Sequence, residues 1–182
     1  MGPTGTVNDK PRGPMRLALS FGLGHLGIDD SKTSCEMCTH DTPVLAVHLS
    51  LAYEFIPRIA IGPQVQVHYG FAEGLPGGDE RIRQFGLFAA VRLVPLPRVV
   101  ATGGLGFLYA DYAWQTRDNF LGGSTGHSQE IGSGPATLLA GRINLLENVR
   151  RTDFGIEGRL ILAKLGDVGA TTSFSVDAVF GY

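Results

Sequence analysis

"PVLAVHLSLAYEFIPRIAIGPQVQVHYGF", residues 43–71, is the stretch that decides the fold. Leu45, Val47, Leu49, Leu51, Tyr53 and Phe55 share one parity, and Ala46, His48, Ser50, Ala52 and Glu54 share the other. After Pro57 and Arg58 the alternation resumes, with Ile59, Ile61, Pro63, Val65, Val67, Tyr69 and Phe71 set against Ala60, Gly62, Gln64, Gln66, His68 and Gly70. A strict period of two means β-strands with two different faces. What matters next is which face meets the solvent, and whether that solvent is water.

The same alternation, weaker in places, predicts six more strands. They are centred on Leu17–Leu23, Phe85–Leu93, Val99–Tyr109, Thr137–Leu145, Phe154–Leu162 and Phe174–Tyr182. Short connections fall at "IPR", "VPLPR" and "LLENVRRT", and longer ones cover 27–42, 72–80, 115–134 and 166–170. An even number of strands with alternating short and long loops is the pattern of an outer-membrane barrel. Hairpin connections throughout give an up-and-down order. The expected fold is therefore an all-β, eight-stranded antiparallel up-and-down transmembrane β-barrel.

The totals agree. The chain has 182 residues, enough for one domain, and a net charge of −2, which offers no footprint for nucleic acid. Only 18% of residues are charged while glycine numbers 26, an unusual pairing for a water-soluble enzyme. No apolar run approaches the roughly 18 to 20 residues of a spanning helix, which leaves barrels open because their strands need only about 9 to 11. The polar, Pro- and Gly-rich residues 1–14 read as a flexible leader, and 15–182 as the barrel. "MRLALSFGLGHLGI" lacks a small-x-small cleavage site and alternates as a strand does, so any export signal is expected to be missing from this chain.

Two solvents compete for the apolar face. In a soluble barrel such as a lipocalin it would line the interior, and the other face would carry many Lys and Glu. Here Lys occurs only at positions 10, 32 and 164, and the second face is mostly Gly, Ala and Ser. The apolar face also ends in aromatics, among them Tyr53, Phe55, Tyr69, Phe85, Tyr109 and Phe174, as interfacial girdles do. Lipid is the expected solvent.

At this point the chain resembles the small eight-stranded outer-membrane barrels of Gram-negative bacteria, such as the membrane domain of outer membrane protein A and outer membrane protein X. The resemblance covers about residues 15–182 and includes the ending "SFSVDAVFGY". In that family a last strand closing on an aromatic is the signal read by the barrel-assembly machinery, and Phe174, Val176, Phe180 and Tyr182 match it. The resemblance implies an integral outer-membrane location, with outer-membrane lipid and lipopolysaccharide as surroundings. It implies no particular activity.

Small inward residues leave room for a set of charges. Glu54, Arg92, Arg142, Glu157, Arg159 and Asp177 all fall in the periplasmic half, and Arg16 can join them. Charges in a narrow interior must pair, so a salt-bridged closure of the lower barrel is expected, with a gated ion path as the alternative. Above it, Leu108 and Leu138 among small residues outline a candidate vestibule floored by His48, Gln64, Gln66 and His68. Each His is expected to be a hydrogen-bonded interior residue in preference to a ligand or catalyst.

Pro63 stands mid-strand although proline cannot donate to a ladder, so a bulge is expected there. A lateral lipid entrance is the alternative, since the outer-membrane lipid A palmitoyltransferase uses prolines in this way.

In "SCEMCTH", Cys35 and Cys38 are candidates for a local disulfide at an oxidising surface, and a metal site with His40 lacks a second ligand pair. No metal or other cofactor is expected. "STGHSQE" brings His127, Ser128 and Glu130 close in a Gly-rich loop, without the spacing of the lipid A deacylases or an arguable oxyanion hole.

The leading functional expectation is a non-catalytic barrel acting through its extracellular loops as a structural, accessory or recognition component. A protein partner would bind at the loops or the periplasmic face. The alternative is a lipid-binding or lipid A-modifying barrel, with an outer vestibule and a lateral opening near Pro63.

Overall fold

A computed structural model describes residues 15–28, 41–72, 80–117, 124–149, 152–166 and 169–181. Eight strands run in chain order: β1 Met15–Ile28, β2 Asp41–Ile56, β3 Ile59–Ala72, β4 Glu80–Leu96, β5 Val99–Arg117, β6 Ser124–Val149, β7 Thr152–Leu165 and β8 Gly169–Gly181. Each pairs antiparallel with the next, and β1 returns to β8 from Ala18↔Gly181 to Ile28↔Thr171. The sheet is thus a closed barrel. Closure suits lipid, where an unpaired backbone group costs several kcal/mol.

The faces sort by parity. Along β2, Leu45, Val47, Leu49, Leu51 and Tyr53 are exposed while Val44, Ala46, His48 and Ala52 are buried. The rule holds around the ring, with Leu23, Phe85, Phe107, Leu139, Ile156 and Phe174 all pointing out. Ser20, Gln66, Gln84, Ser173 and Asp177 point in. A barrel apolar outside and polar inside is built for lipid. That answers the opening alternation.

The connections that leave β1, β3 and β5 are long, those that leave β2, β4 and β6 have two residues each, and the one that leaves β7 has three. By the usual arrangement those after odd strands are extracellular and those after even strands periplasmic.

Two expectations change. Within the stretch 115–134, residues 115–117 and 124–134 are strand: β5 and β6 stay paired from Leu108↔Gly134 up to Arg117↔Ser124, with one bulge at Ala110/Asp111. Alternation is blurred here by Gly and Ser, so sequence periodicity ended the strands too early.

The second change concerns Pro63, which makes no bulge. The pairs Ser50↔Gln64 and Tyr53↔Ile61 flank it in one register, and Pro63 pairs normally with Ala89 on β4. Beside it, Leu51 O lies so near Gly62 that no Cβ would fit, so β2 and β3 stay in contact at this level. Leu51 and Ala52 make no ladder pair with Pro63 and Gly62, yet the register is the same on both sides, so the ladder is interrupted there without an insertion. The β2–β3 bulge lies lower, between Glu54 and Ile56.

Candidate functional site

Inward positions of β1, β2, β3, β7 and β8 converge on a polar layer in the barrel. Register sets the neighbours: Ser20 faces His48, His48 faces Gln66, His68 faces Gln84, and Glu157 faces Asp177. At the centre, His48 Nδ1 lies 3.3 Å from Asp177 Oδ2 and 3.1 Å from Ser20 Oγ. Its Nε2 meets His68 Nε2 at 3.0 Å, the two rings edge to face. Ser175 Oγ donates to Asp177 Oδ2 at 3.2 Å, and Arg159 Nε approaches the same oxygen at 3.8 Å.

Arg159 also pairs with Glu157. The amide oxygen of Gln64, turned toward Arg159, accepts from both terminal guanidinium nitrogens at 2.7 and 2.9 Å. A small cavity beside His48, Gln64 and Arg92 has room for about one water molecule.

The other inward charges lie toward the periplasmic end. Arg16 grips Glu54 through Nη2 at 2.7 Å and Nε at 3.0 Å, and both side chains are about a third exposed (32% and 28%). Arg92 Nη2 donates to Ser50 Oγ at 3.2 Å, and Arg142 Nε to Asn144 Oδ1 at 2.5 Å. Of the six candidate residues, Glu157, Arg159 and Asp177 are joined directly, Arg142 stands opposite Glu157 on the β6–β7 ladder, Arg92 reaches Ser50, and Glu54 pairs with Arg16.

Ser20, His48 and Asp177 have the residue types of a hydrolytic triad but not its geometry. Hydroxyl and carboxylate share one imidazole nitrogen, while the other nitrogen is taken by His68. Such a histidine cannot relay a serine proton toward an acid on its far side. All three are nearly fully buried, which leaves no path for a substrate.

Above this layer two apolar clusters fill much of the interior, with buried Gln84, Thr171 and Ser173 at the same level. Phe88, Leu108, Ala110, Ala136, Leu138, Ile161, Ala163 and Leu165 form one buried cluster, and Leu26, Val44 and Ile82 a second. Ile131 packs against both. Leu108 and Leu138, expected to border a vestibule, have no exposed surface and sit inside the first cluster. The inward glycines make room for Phe88, since a Cβ on Gly86 would stand 2.6 Å from its Cε2 and one on Gly106 2.8 Å from its Cδ1.

Sequence reasoning passed over Phe88, Ser20 and Gln84, although strand parity alone assigns each to the inside. Of the assembly residues, Phe174, Val176 and Phe180 face outward and are exposed. Tyr182, Cys35, Cys38 and the leader lie outside the described residues, as do the side chains of His127 and Ser128, whose backbone belongs to β6. Glu130 is exposed.

Solved structures give the comparison. The attachment invasion locus protein Ail of Yersinia pestis matches with a TM-score of 0.63 at 14% identity, over 92% of this chain and 98% of that one. This is the fold of the small outer-membrane barrels. Neisserial surface protein A matches with a TM-score of 0.57 at 14% identity, over 93% and 96% of the two chains. OprG from Pseudomonas aeruginosa gives 0.57 at 13%, over 93% and 97%. No protein-family model and no curated protein matches the chain. The closed eight-stranded barrel with an apolar exterior shares the fold of these proteins and fits the bacterial outer membrane.

Proposed function

We propose that the protein is a closed, non-conducting barrel that holds an extracellular recognition hairpin. The observation that carries this reading is the mismatch between neighbours: β6 has 26 residues and β7 only 14. Among the described residues, the last backbone hydrogen bond of β6 with the β7 end is Gly166 N–H to Ser133 O at 3.2 Å. From Ser124 to Gly132, β6 pairs only with β5, so among the described residues its other edge carries no strand partner. A free edge presents a row of backbone donors and acceptors to an extended segment of another protein.

The packed upper clusters and the ion-paired layer beneath them support a barrel that passes nothing, which leaves its ends to do the work. Ail, whose name records attachment, shares this architecture. Lipid and lipopolysaccharide surround this barrel in our reading, and the outward Phe174, Val176 and Phe180 hand it to the assembly machinery.

The test replaces residues 112–130 with a two-residue turn. We expect the shortened chain to insert and fold, and to lose the protein partner that a photocrosslinker at exposed Lys164, beside β6, captures with the full chain on intact cells. A partner captured equally well by the shortened chain from a position on another loop would overturn the proposal.

A further inference from the structure

The two tight periplasmic turns are one structure built twice. "EFIPRIA" (54–60) and "LVPLPRVVA" (93–101) each shift register by one residue just before the turn, between Glu54 and Ile56 and between Leu93 and Leu96. Each then turns on Pro-Arg, with the arginine in the left-handed region: φ is 74° at Arg58 and 68° at Arg98. Each arginine carbonyl is fastened to a strand of the next hairpin. Val94 N–H donates to Arg58 O at 3.0 Å, and Asn144 N–H to Arg98 O at 2.8 Å.

Proline presets the first turn position, and the second wants a residue that tolerates positive φ, usually Gly or Asn. Among the described residues, these arginines alone adopt positive φ without being glycine. Strain kept at two equivalent positions points to a use for the side chain. Both guanidinium groups are exposed, and neither has a side-chain partner among the described residues. Glu54 is engaged by Arg16 and takes the backbone N–H of Arg58, at 3.3 Å. Just above the turns, exposed Ile56 and Leu96 mark the lower edge of the apolar belt. Two intervening strand spacings put the turns about 10 Å apart.

Two exposed guanidinium groups on fastened backbone turns, without side-chain partners among the described residues, therefore stand at the headgroup depth of the lower leaflet. Guanidinium binds phosphate through a two-pronged fork, and near a membrane surface each arginine contributes to holding anionic lipid. We infer that Arg58 and Arg98 form a two-point clamp for the phosphodiester headgroups of anionic phospholipids in the periplasmic leaflet. The inference is independent of the recognition hairpin at the other end.

The test uses the full chain in nanodiscs of mixed phosphatidylglycerol and phosphatidylcholine, with retained lipids counted by native mass spectrometry. Wild type should retain phosphatidylglycerol with roughly thirtyfold preference, about fivefold per arginine. The double variant Arg58→Gly/Arg98→Gly relieves the backbone, so it should fold at least as well and lose the preference. Arg58→Asn/Arg98→Asn should behave alike, which guards against an effect of glycine flexibility. An unchanged preference in either variant would overturn the clamp. So would arginine-dependent binding to purified peptidoglycan or to inorganic phosphate with no discrimination between the two lipids.

Discussion

Gly22 and Asp177 share one space. They stand opposite each other on the β1–β8 ladder, and Asp177 Oδ1 occupies the volume that a Cβ at position 22 would need. The carboxylate can reach His48 and Ser175 because β1 has no side chain at this point.

Gly22→Ala should therefore strike the centre of the polar layer. Rotating Asp177 away would not relieve it, since the new methyl would also press on Val176 O and stand 2.8 Å from Asp177 Cα. Overpacking of this kind costs about 1–3 kcal/mol. Urea unfolding in lipid vesicles, followed by tryptophan fluorescence, should show that loss, and an unshifted midpoint would contradict the shared space.

Gln64 and Gln66 should respond oppositely to the same substitution. Gln64 accepts from Arg159, so Gln64→Leu strips a buried guanidinium of a partner and should destabilise by about 1–3 kcal/mol. Both amide atoms of Gln66 are buried without a protein partner, so Gln66→Leu should be neutral or stabilising. The same unfolding assay on the two variants checks the difference. Equal losses would place ordered water on Gln66 with bonds as good as those of Gln64.

Phe88→Ala should open a hole in the upper cluster and cost about 3–5 kcal/mol. It should not open a channel, because Glu157, Arg159 and Asp177 still bridge the interior beneath it. Planar-bilayer recordings should show no steady current for wild type or variant. A stable conductance in wild type would refute the closed interior.

Strand parity made the barrel legible before any coordinates, because lipid outside and a polar interior impose opposite chemistry on alternate residues. The His48–His68 contact was not legible, since it depends on a register two strands wide that periodicity cannot fix. Phe88 was missed for a related reason: its inward neighbours Gly86 and Gly106 look like emptiness in a sequence, yet in the barrel they are the space it fills. The upper hairpin was hidden because backbone pairing, with little apolar alternation, holds β5 to β6 above the belt. The doubled Pro-Arg turn could be read as a repeat, but its positive φ values could not.

Leu105 separates a lipid-facing exterior from a water-facing one by energy. It is 70% exposed, near the middle of the outward row of β5, whereas Val99 begins that row at the periplasmic edge. In water, Leu105→Arg at so exposed a site should change stability by no more than about 0.5 kcal/mol. In a bilayer, arginine near the midplane costs about 2–4 kcal/mol, falling to about 0–1 near the interface. We therefore expect Leu105→Arg to destabilise the vesicle-embedded barrel strongly and Val99→Arg only slightly. Equal small effects at both positions would remove lipid from the account of the outer face.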